Sequence, residues 1–246
     1  DVVVSFGADF LGAWLSPVEF AKQYIEKRKI QDTDKPMMSR HIQVETGMSL
    51  TGSNADNRLL VKPSEQGAAI AYLYSKVVGG SGGNGLNDKA KTALNSVANE
   101  LKAAQGKSII VSNSNNASEQ TLINAINNAL GNYGSTMSLV HGSHQKQGSD
   151  ADLNNLIQEM NRGAVDALIL VEANPVYDSG QSDTFKAGLA KVGTTVACTL
   201  SPSETTEGVK YIAPIPHFLE SWGDVEPRTG HYSLIQPTIA PLFDTR

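Results

Sequence analysis

The sequence predicts an α/β protein: Rossmann-like, doubly wound, mainly parallel sheets with flanking helices, in two lobes. Three observations lead there. Short β-branched runs alternate with amphipathic stretches along most of the chain. The run 165–171 is almost continuously apolar, as a strand covered on both faces should be. The sharpest compositional break, Gly79-Gly80-Ser81-Gly82-Gly83-Asn84-Gly85, falls between two such alternating series.

The first lobe, residues 1–78, reads β-α-β-β-α. Val2-Val3-Val4-Ser5-Phe6 is a buried strand closed by Gly7. Ser16-Pro17 offers an N-cap with Pro at N1 for a helix to about Lys29, where Lys27, Arg28 and Lys29 suit the negative end of the helix dipole. His41-Ile42-Gln43-Val44 and Arg58-Leu59-Leu60-Val61 are two further strands. Ser64 is placed to cap a helix with Ala69, Ile70, Leu73, Tyr74, Val77 and Val78 on one stripe.

Residues 79–87 read as a flexible Gly-rich linker. The segment formally matches GxGxxG and GxSxG, but both motifs require a strand before them and this one follows a helix.

The second lobe, 88–246, is more regular. Asn87 caps a helix 88–104 with Ala90, Leu94, Val97 and Leu101 on one face. A strand 108–111, a helix 119–130 capped by Ser118, a strand 137–140 and a helix bearing Leu153, Leu156, Ile157 and Met160 follow. The strand ending at Val171, a helix 183–191, a strand 194–198 and a further strand 209–213 complete the alternation. Residues 214–246 hold five prolines and are expected to wrap over a surface.

Composition narrows the chemistry. Charged residues make up 18% of 246 and the net charge is −5, with cations dispersed, so nucleic acid has no electrostatic footprint. A single cysteine, Cys198, excludes a disulfide framework, a multi-cysteine zinc site and a complete protein-ligated iron–sulfur cluster within these residues. It lies in an apolar strand and reads as a buried, inert thiol. No apolar stretch is long enough to span a membrane. The start at Asp1-Val2-Val3-Val4, without initiator Met or signal peptide, reads as a piece of something longer.

In open parallel sheets, ligands sit beyond the carboxyl ends of the strands. Those ends carry Gly7-Ala8-Asp9, Ser112-Asn113-Ser114, His141-Gly142-Ser143-His144, Ala173-Asn174-Pro175 and the stretch 201–207. Such groups can hold a polar ligand through neutral contacts, and equally are normal in turns and caps. An activated nucleophile or a paired acid and base is missing. His141 and His144 lack the neighbours of a metal site, while His217 and His231, near Glu220, Asp224 and Glu226, read as packing anchors with Trp222 rather than ligands. Trp14 is read the same way. Ligand binding and scaffolding stand level on this evidence.

Longer motifs carry a resemblance. Gly7-Ala8-Asp9-Phe10-Leu11-Gly12-Ala13-Trp14, Met38-Ser39-Arg40-His41, Ser49-Leu50-Thr51-Gly52-Ser53-Asn54-Ala55-Asp56 and Leu130-Gly131-Asn132-Tyr133-Gly134 resemble signatures of molybdopterin oxidoreductase-like chains. So do Ala173-Asn174-Pro175-Val176-Tyr177, Leu219-Glu220-Ser221-Trp222-Gly223-Asp224 and the tail 236–246. In this order they most resemble the large iron–sulfur/molybdopterin-like subunit of bacterial alternative complex III.

That resemblance implies an internal, Rossmann-like portion of a longer parent whose iron–sulfur clusters lie elsewhere. It also implies a quinol:acceptor electron-transfer complex on the periplasmic side of the inner membrane. The partners implied are the parent's iron–sulfur region and membrane and haem-bearing subunits. The family's Pro-Gly-Thr-Asp, whose Asp recognises the guanine of molybdopterin guanine dinucleotide, is replaced by Pro63-Ser64-Glu65-Gln66. The expectation is therefore a vestigial site and a non-catalytic scaffold, with no cofactor in this chain and no catalytic residue or metal ligand. If a pterin dinucleotide bound, Asp9, Asp56, Asn113 and Asn174 would be the contacts. The alternatives are a pterin-dependent molybdenum or tungsten oxidoreductase whose catalytic regions lie outside these residues, and a small polar-ligand binding module.

Overall fold

A computed structural model describes residues 1–30, 32–145 and 147–243. The chain forms two compact units, Asp1–Gln145 and Lys146–Arg246. Both are built on parallel sheets flanked by helices.

The first unit holds four parallel strands, β1 (Val2–Phe6), β2 (Arg40–Glu45), β3 (Asn57–Leu60) and β4 (Ser108–Ser112), in the order β3-β2-β1-β4. Its helices are α1 (Pro17–Arg28), the short α2 (Leu50–Ser53), α3 (Gln66–Val77), α4 (Asp88–Ala103) and α5 (Ala117–Ala129). Side chains alternate between faces along each strand. Val4, Phe6, Ile42, Val44 and Ile110 point to one face, where Ile70, Leu73, Leu94, Leu101 and Ile126 of α3, α4 and α5 bury them. Full burial of each such side chain contributes about 1.5–3 kcal/mol. The other face, covered by α1 and α2, is polar along β2, where His41, Gln43 and Glu45 are all buried.

The expected division at residues 79–87 is not where the chain divides. β4 pairs with β1 across that segment, so α4, β4 and α5 belong with the first sheet. The Gly-rich stretch is a fitted turn rather than a flexible linker. A Cβ at Gly82 would collide with the Ala71 carbonyl, one at Gly83 would lie 2.5 Å from the Tyr72 ring, and Leu86 is buried in the core. Four of its glycines have φ between +84° and +125°, a region closed to most side chains.

The second unit has three parallel strands, β5 (Ala167–Val171), β6 (Thr194–Thr199) and β7 (Tyr211–Pro214), in the order β5-β6-β7. Helices α6 (Asp150–Asn161), α7 (Pro175–Asp178) and α8 (Ser182–Leu189) bury Leu168 and Leu170 on one face through Ile157, Met160, Val176, Phe185 and Leu189. Coverage of β5 on both faces, read from its apolar run, is not found: Ile169 and Val171 are 67% and 64% exposed. Cys198 is half-buried on that same open face, not sealed in a core.

Three further expectations change. The strand at 137–140 is absent; Met137 forms one isolated bridge with Tyr133, and Leu139 and Val140 are exposed. The Pro-rich tail contains an antiparallel hairpin, β8 (Gly223–Arg228) and β9 (His231–Ile235), with a register shift between Val225 and Arg228. Trp222 is exposed rather than an anchor, whereas Trp14 rests on Phe20 with ring centroids 5.6 Å apart. The last three residues of the tail motif lie outside the described residues.

Candidate functional site

The strand order reverses between β1 and β4, and the carboxyl ends there form the crevice where open α/β sheets hold ligands. Gly7, with φ +68°, turns the chain out of β1 and is followed by Asp9. Asp9 Oδ1 accepts from the backbone N–H of Thr51 at 2.9 Å and from its hydroxyl at 2.7 Å. Thr51 Oγ1 in turn accepts from the N–H of Leu11 at 2.9 Å.

The second unit repeats this clasp. Glu172, with φ +46°, turns the chain out of β5 and is followed by Asn174. Asn174 Oδ1 accepts from the N–H of Thr205 at 3.2 Å and from its hydroxyl at 2.6 Å. Thr205 Oγ1 accepts from the N–H of Val176 at 3.1 Å. The sheets share a register as well: Phe6 opposes Val44 as Val171 opposes Cys198, and Ile42 opposes Asn57 as Val196 opposes Tyr211. The two units are therefore built on the same strand–helix–strand–strand module, with an Asx–Thr clasp at the same place.

Asn113, the third expected contact, shares the carboxyl edge with Asp9. Its N–H donates to Phe6 O at 3.1 Å, and its Oδ1 accepts from Gln66 Nε2 at 3.2 Å. The side chain fills the space above Gly7, where a Cβ would approach Asn113 Oδ1 to 2.6 Å. The loop after it is knit together locally: Ser112 Oγ accepts from Ser114 N, Ser114 Oγ from Asn116 N and Asn116 Oδ1 from Ser118 N. Asn116, not Ser118, thus caps α5.

Asp56 lies at the opposite, amino edge of the sheet. Arg28 donates to both of its carboxylate oxygens, at 2.6 and 3.0 Å, and the N–H of His41 donates to Oδ2 at 2.7 Å. The Arg28 hydrogen bonds hold the Asp56 carboxyl below its ordinary pKa against the opposing effect of burial. The structure thus brings Asp9 and Asn113 to one edge, sets Asp56 at the other, and places Asn174 in the second unit.

A polar chain beneath α1 and α2 was not among the expected sites. Glu45 accepts from Ser49 Oγ at 2.6 Å and Arg58 Nε at 2.5 Å; Gln43 Nε2 donates to Glu45 Oε2, which turns its Oε1 toward His41 Nε2. His41 Nδ1 then faces the Tyr24 hydroxyl at 3.1 Å. Gln43 Oε1 suits a neutral His41 with its proton on Nε2, and the single Tyr24 hydroxyl proton is shared between Nδ1 and the Asn54 carbonyl oxygen, 3.2 Å away. Burial lowers the His41 pKa and agrees with that state. Burial alone would raise the Glu45 carboxyl, but the bonds from Ser49 and Arg58 outweigh it and bring it down. The sequence signal was polar residues at alternate positions of a strand otherwise buried on both faces.

An open groove of about 670 Å3 lies beside β3, between Lys62, Glu65 and Asn87, and a smaller one of about 330 Å3 beside Glu204 and Lys186. None of the four expected contacts lines either groove. Glu65 accepts from the N–H of Lys62 at 3.0 Å, capping the turn it belongs to. Among the described residues no group of three or more His, Cys, Asp or Glu is placed to hold a metal ion, and no helix is long and apolar enough to cross a membrane. His217 Nδ1 accepts from Leu219 N and Glu220 Oε2 from Leu242 N, so this pair braces the tail.

No protein-family model matches the chain. It is similar to the menaquinone reductase molybdopterin-binding-like subunit of Nitratidesulfovibrio vulgaris, 42% identical over 84 residues. The matched stretch covers 32% of this chain and spans 12% of that protein's length. The likeness supports the molybdopterin oxidoreductase-like resemblance carried by the sequence motifs, and does so at the level of that broad group rather than of alternative complex III.

Proposed function

We propose that this chain is a molybdopterin-oxidoreductase-like scaffold within a quinone-linked respiratory electron-transfer complex, non-catalytic and with a vestigial cofactor site. The alternative complex III type of assembly fits this reading. Its partners would be an iron–sulfur region of the same parent and membrane and haem-bearing subunits, on the periplasmic side of the inner membrane. The sequence motifs and the partial match to a molybdopterin-binding-like subunit of a menaquinone reductase support the general class.

One observation carries the scaffold reading: the polar side chains that could meet a pterin dinucleotide are already engaged in holding the fold. Asp9 and Asn174 are closed on Thr51 and Thr205, Asp56 on Arg28 at the wrong edge, and Asn113 fills the crevice over Gly7. Gln66, which stands in place of the guanine-reading Asp, donates to Asn113 Oδ1 at 3.2 Å. A dinucleotide needs donors and acceptors free to converge on it, and these residues do not fit that requirement. No chemical step is therefore routed through such a group here.

Metal analysis and pterin fluorescence of the natural full-length protein test the reading. The expected result is neither molybdenum nor tungsten in stoichiometric amount and no released pterin. Stoichiometric metal with pterin would overturn the scaffold and support the enzyme.

A further inference from the structure

Helix α1 is held to the first sheet differently from its neighbours. α3 and α4 bury Ile70, Leu73, Leu94 and Leu101 in the core, whereas α1 buries none of its own residues. Its polar hold comes from two residues one turn apart. The Tyr24 hydroxyl meets His41 Nδ1 at 3.1 Å and Asn54 O at 3.2 Å. Arg28 donates to Ser39 O at 2.7 Å and to both carboxylate oxygens of Asp56. Beneath this hold His41 is fully enclosed, with the Phe10 ring 5.3 Å and the Tyr24 ring 5.4 Å from its own.

The charges around His41 are already matched to one another. From α1 it faces Arg28, and from the turn before β3 it faces Asp56, whose two oxygens Arg28 occupies. On β2 itself Arg40 is bridged to Glu100, and Glu45, reached through Gln43, is bridged to Arg58. Tyr24 stays neutral, its pKa raised by burial. A proton arriving on Nδ1 finds an acceptor in the Tyr24 oxygen once that hydroxyl turns to Asn54. One such bond does not repay enclosing a cation that has no carboxylate of its own. We propose that α1 is an acid-released strap: when His41 takes a proton from solvent, α1 lifts from the polar face of β2 while the core under α3, α4 and α5 stays folded. Burial holds the His41 pKa down in the closed form, and opening returns it to the ordinary value of about 6.5. The open form therefore binds the proton more tightly and gains population as pH falls. Asp56 and Glu45, both lowered, stay ionised over this range.

Native-state hydrogen exchange of the intact 246-residue protein, with and without low urea, tests this at about pH 7.5 and 5.5. After correction for intrinsic exchange, protection of α1 should fall about five- to tenfold at the lower pH, the limit set by an ordinary histidine. Low urea should accelerate exchange in α4 and leave α1 unchanged, because lifting one helix exposes little surface. In His41→Gln the protection of α1 should not depend on pH over this range. Tyr24→Phe removes the hydroxyl, keeps the ring, and should lower α1 protection already at about pH 7.5. Unchanged protection of α1 in the parent at the lower pH would overturn the proposal. So would a fall that persists in His41→Gln, or parental protection in Tyr24→Phe. Equal urea dependence in α1 and α4 would mean that the helix leaves only when the whole unit unfolds, and would overturn it as well.

Discussion

Asp9 and Thr51 meet across the carboxyl end of the first sheet, with one carboxylate oxygen accepting both the backbone N–H and the hydroxyl of the threonine. Asn174 and Thr205 meet in the same way in the second. Both threonines are fully buried, and each hydroxyl also accepts from an N–H in the loop it clasps. Replacing either by Val keeps the shape and removes the hydroxyl, leaving a buried N–H without its acceptor. The expected cost is about 1–3 kcal/mol. Hydrogen exchange should rise over 7–16 in Thr51→Val and over 172–182 in Thr205→Val, each confined to its own unit. Equal exchange in variant and parent would show that the clasp does not hold the loop.

Position 172 is the strained member of the repeat. Gly7 adopts φ +68° freely, whereas Glu172 holds φ +46° with a side chain attached. Left-handed backbone costs a non-glycine residue roughly 1–2 kcal/mol. Glu172→Gly should therefore stabilise the second unit, by about 0.5–1 kcal/mol once the greater chain entropy of glycine is counted. Gly7→Ala should destabilise the first, because its Cβ would also press on Asn113. Chemical denaturation followed by unit-specific hydrogen exchange reads both; a destabilised Glu172→Gly would contradict the equivalence.

The turn at 79–87 gives a contrast within one residue type. Gly82→Ala must push against the Ala71 carbonyl, a backbone atom that cannot swing away, and should cost about 1–3 kcal/mol. Gly47→Ala meets nothing within 4 Å and should change stability by less than about 0.5 kcal/mol. A flexible linker would tolerate both alike, so equal melting temperatures would reinstate that description.

The polar face of β2 sets an acid profile for the first unit. His41 is neutral and buried with a lowered pKa, so the unfolded chain takes up its proton first as pH falls below about 6.5. Stability should drop from there until the folded-state value is passed. Asp56 and Glu45, both lowered, keep their stabilisation above about 4.5 and lose it as pH falls further. His41→Gln should flatten the decline that begins below about pH 6.5, and Asp56→Asn the one below about 4. Stability measured across pH 3–8 distinguishes the two phases; a decline starting near pH 6.5 that persists in His41→Gln would assign it elsewhere.

Periodicity made most elements legible. The stripe of α4, the β-branched run of β1, the strand at β6 and the Asn87 cap are found where local chemistry puts them. What local chemistry does not contain is pairing between distant strands. Nothing in residues 79–87 announces that Ser108–Ser112 returns to the edge of β1, so a glycine-rich break read as a boundary. The same limit hid the clasp. Asp9 and Asn174 were visible as small polar residues after strands, but Thr51 and Thr205 become partners only once β2 and β6 are in register. The available signal was the repeated order of strand, Ala-Asx, helix, strand and then threonine, which is a comparison of the chain with itself. Apolar content misled at β5, where two apolar faces were taken for two covered ones.

The return of β4 to β1 has a consequence for how the chain is born. About 50 residues separate the end of β3 from the start of β4, so a growing polypeptide completes three strands while β1 still has a vacant side. At ordinary rates of synthesis of about 5–20 residues per second, that interval lasts roughly 3–10 s. During it, Val2–Phe6 offers unpaired backbone and an uncovered apolar surface to anything nearby. The fitted turn at Gly82 and Gly83 lies midway through this interval, and by fixing the path of the chain after α3 it shortens the search that β4 must make to close the sheet.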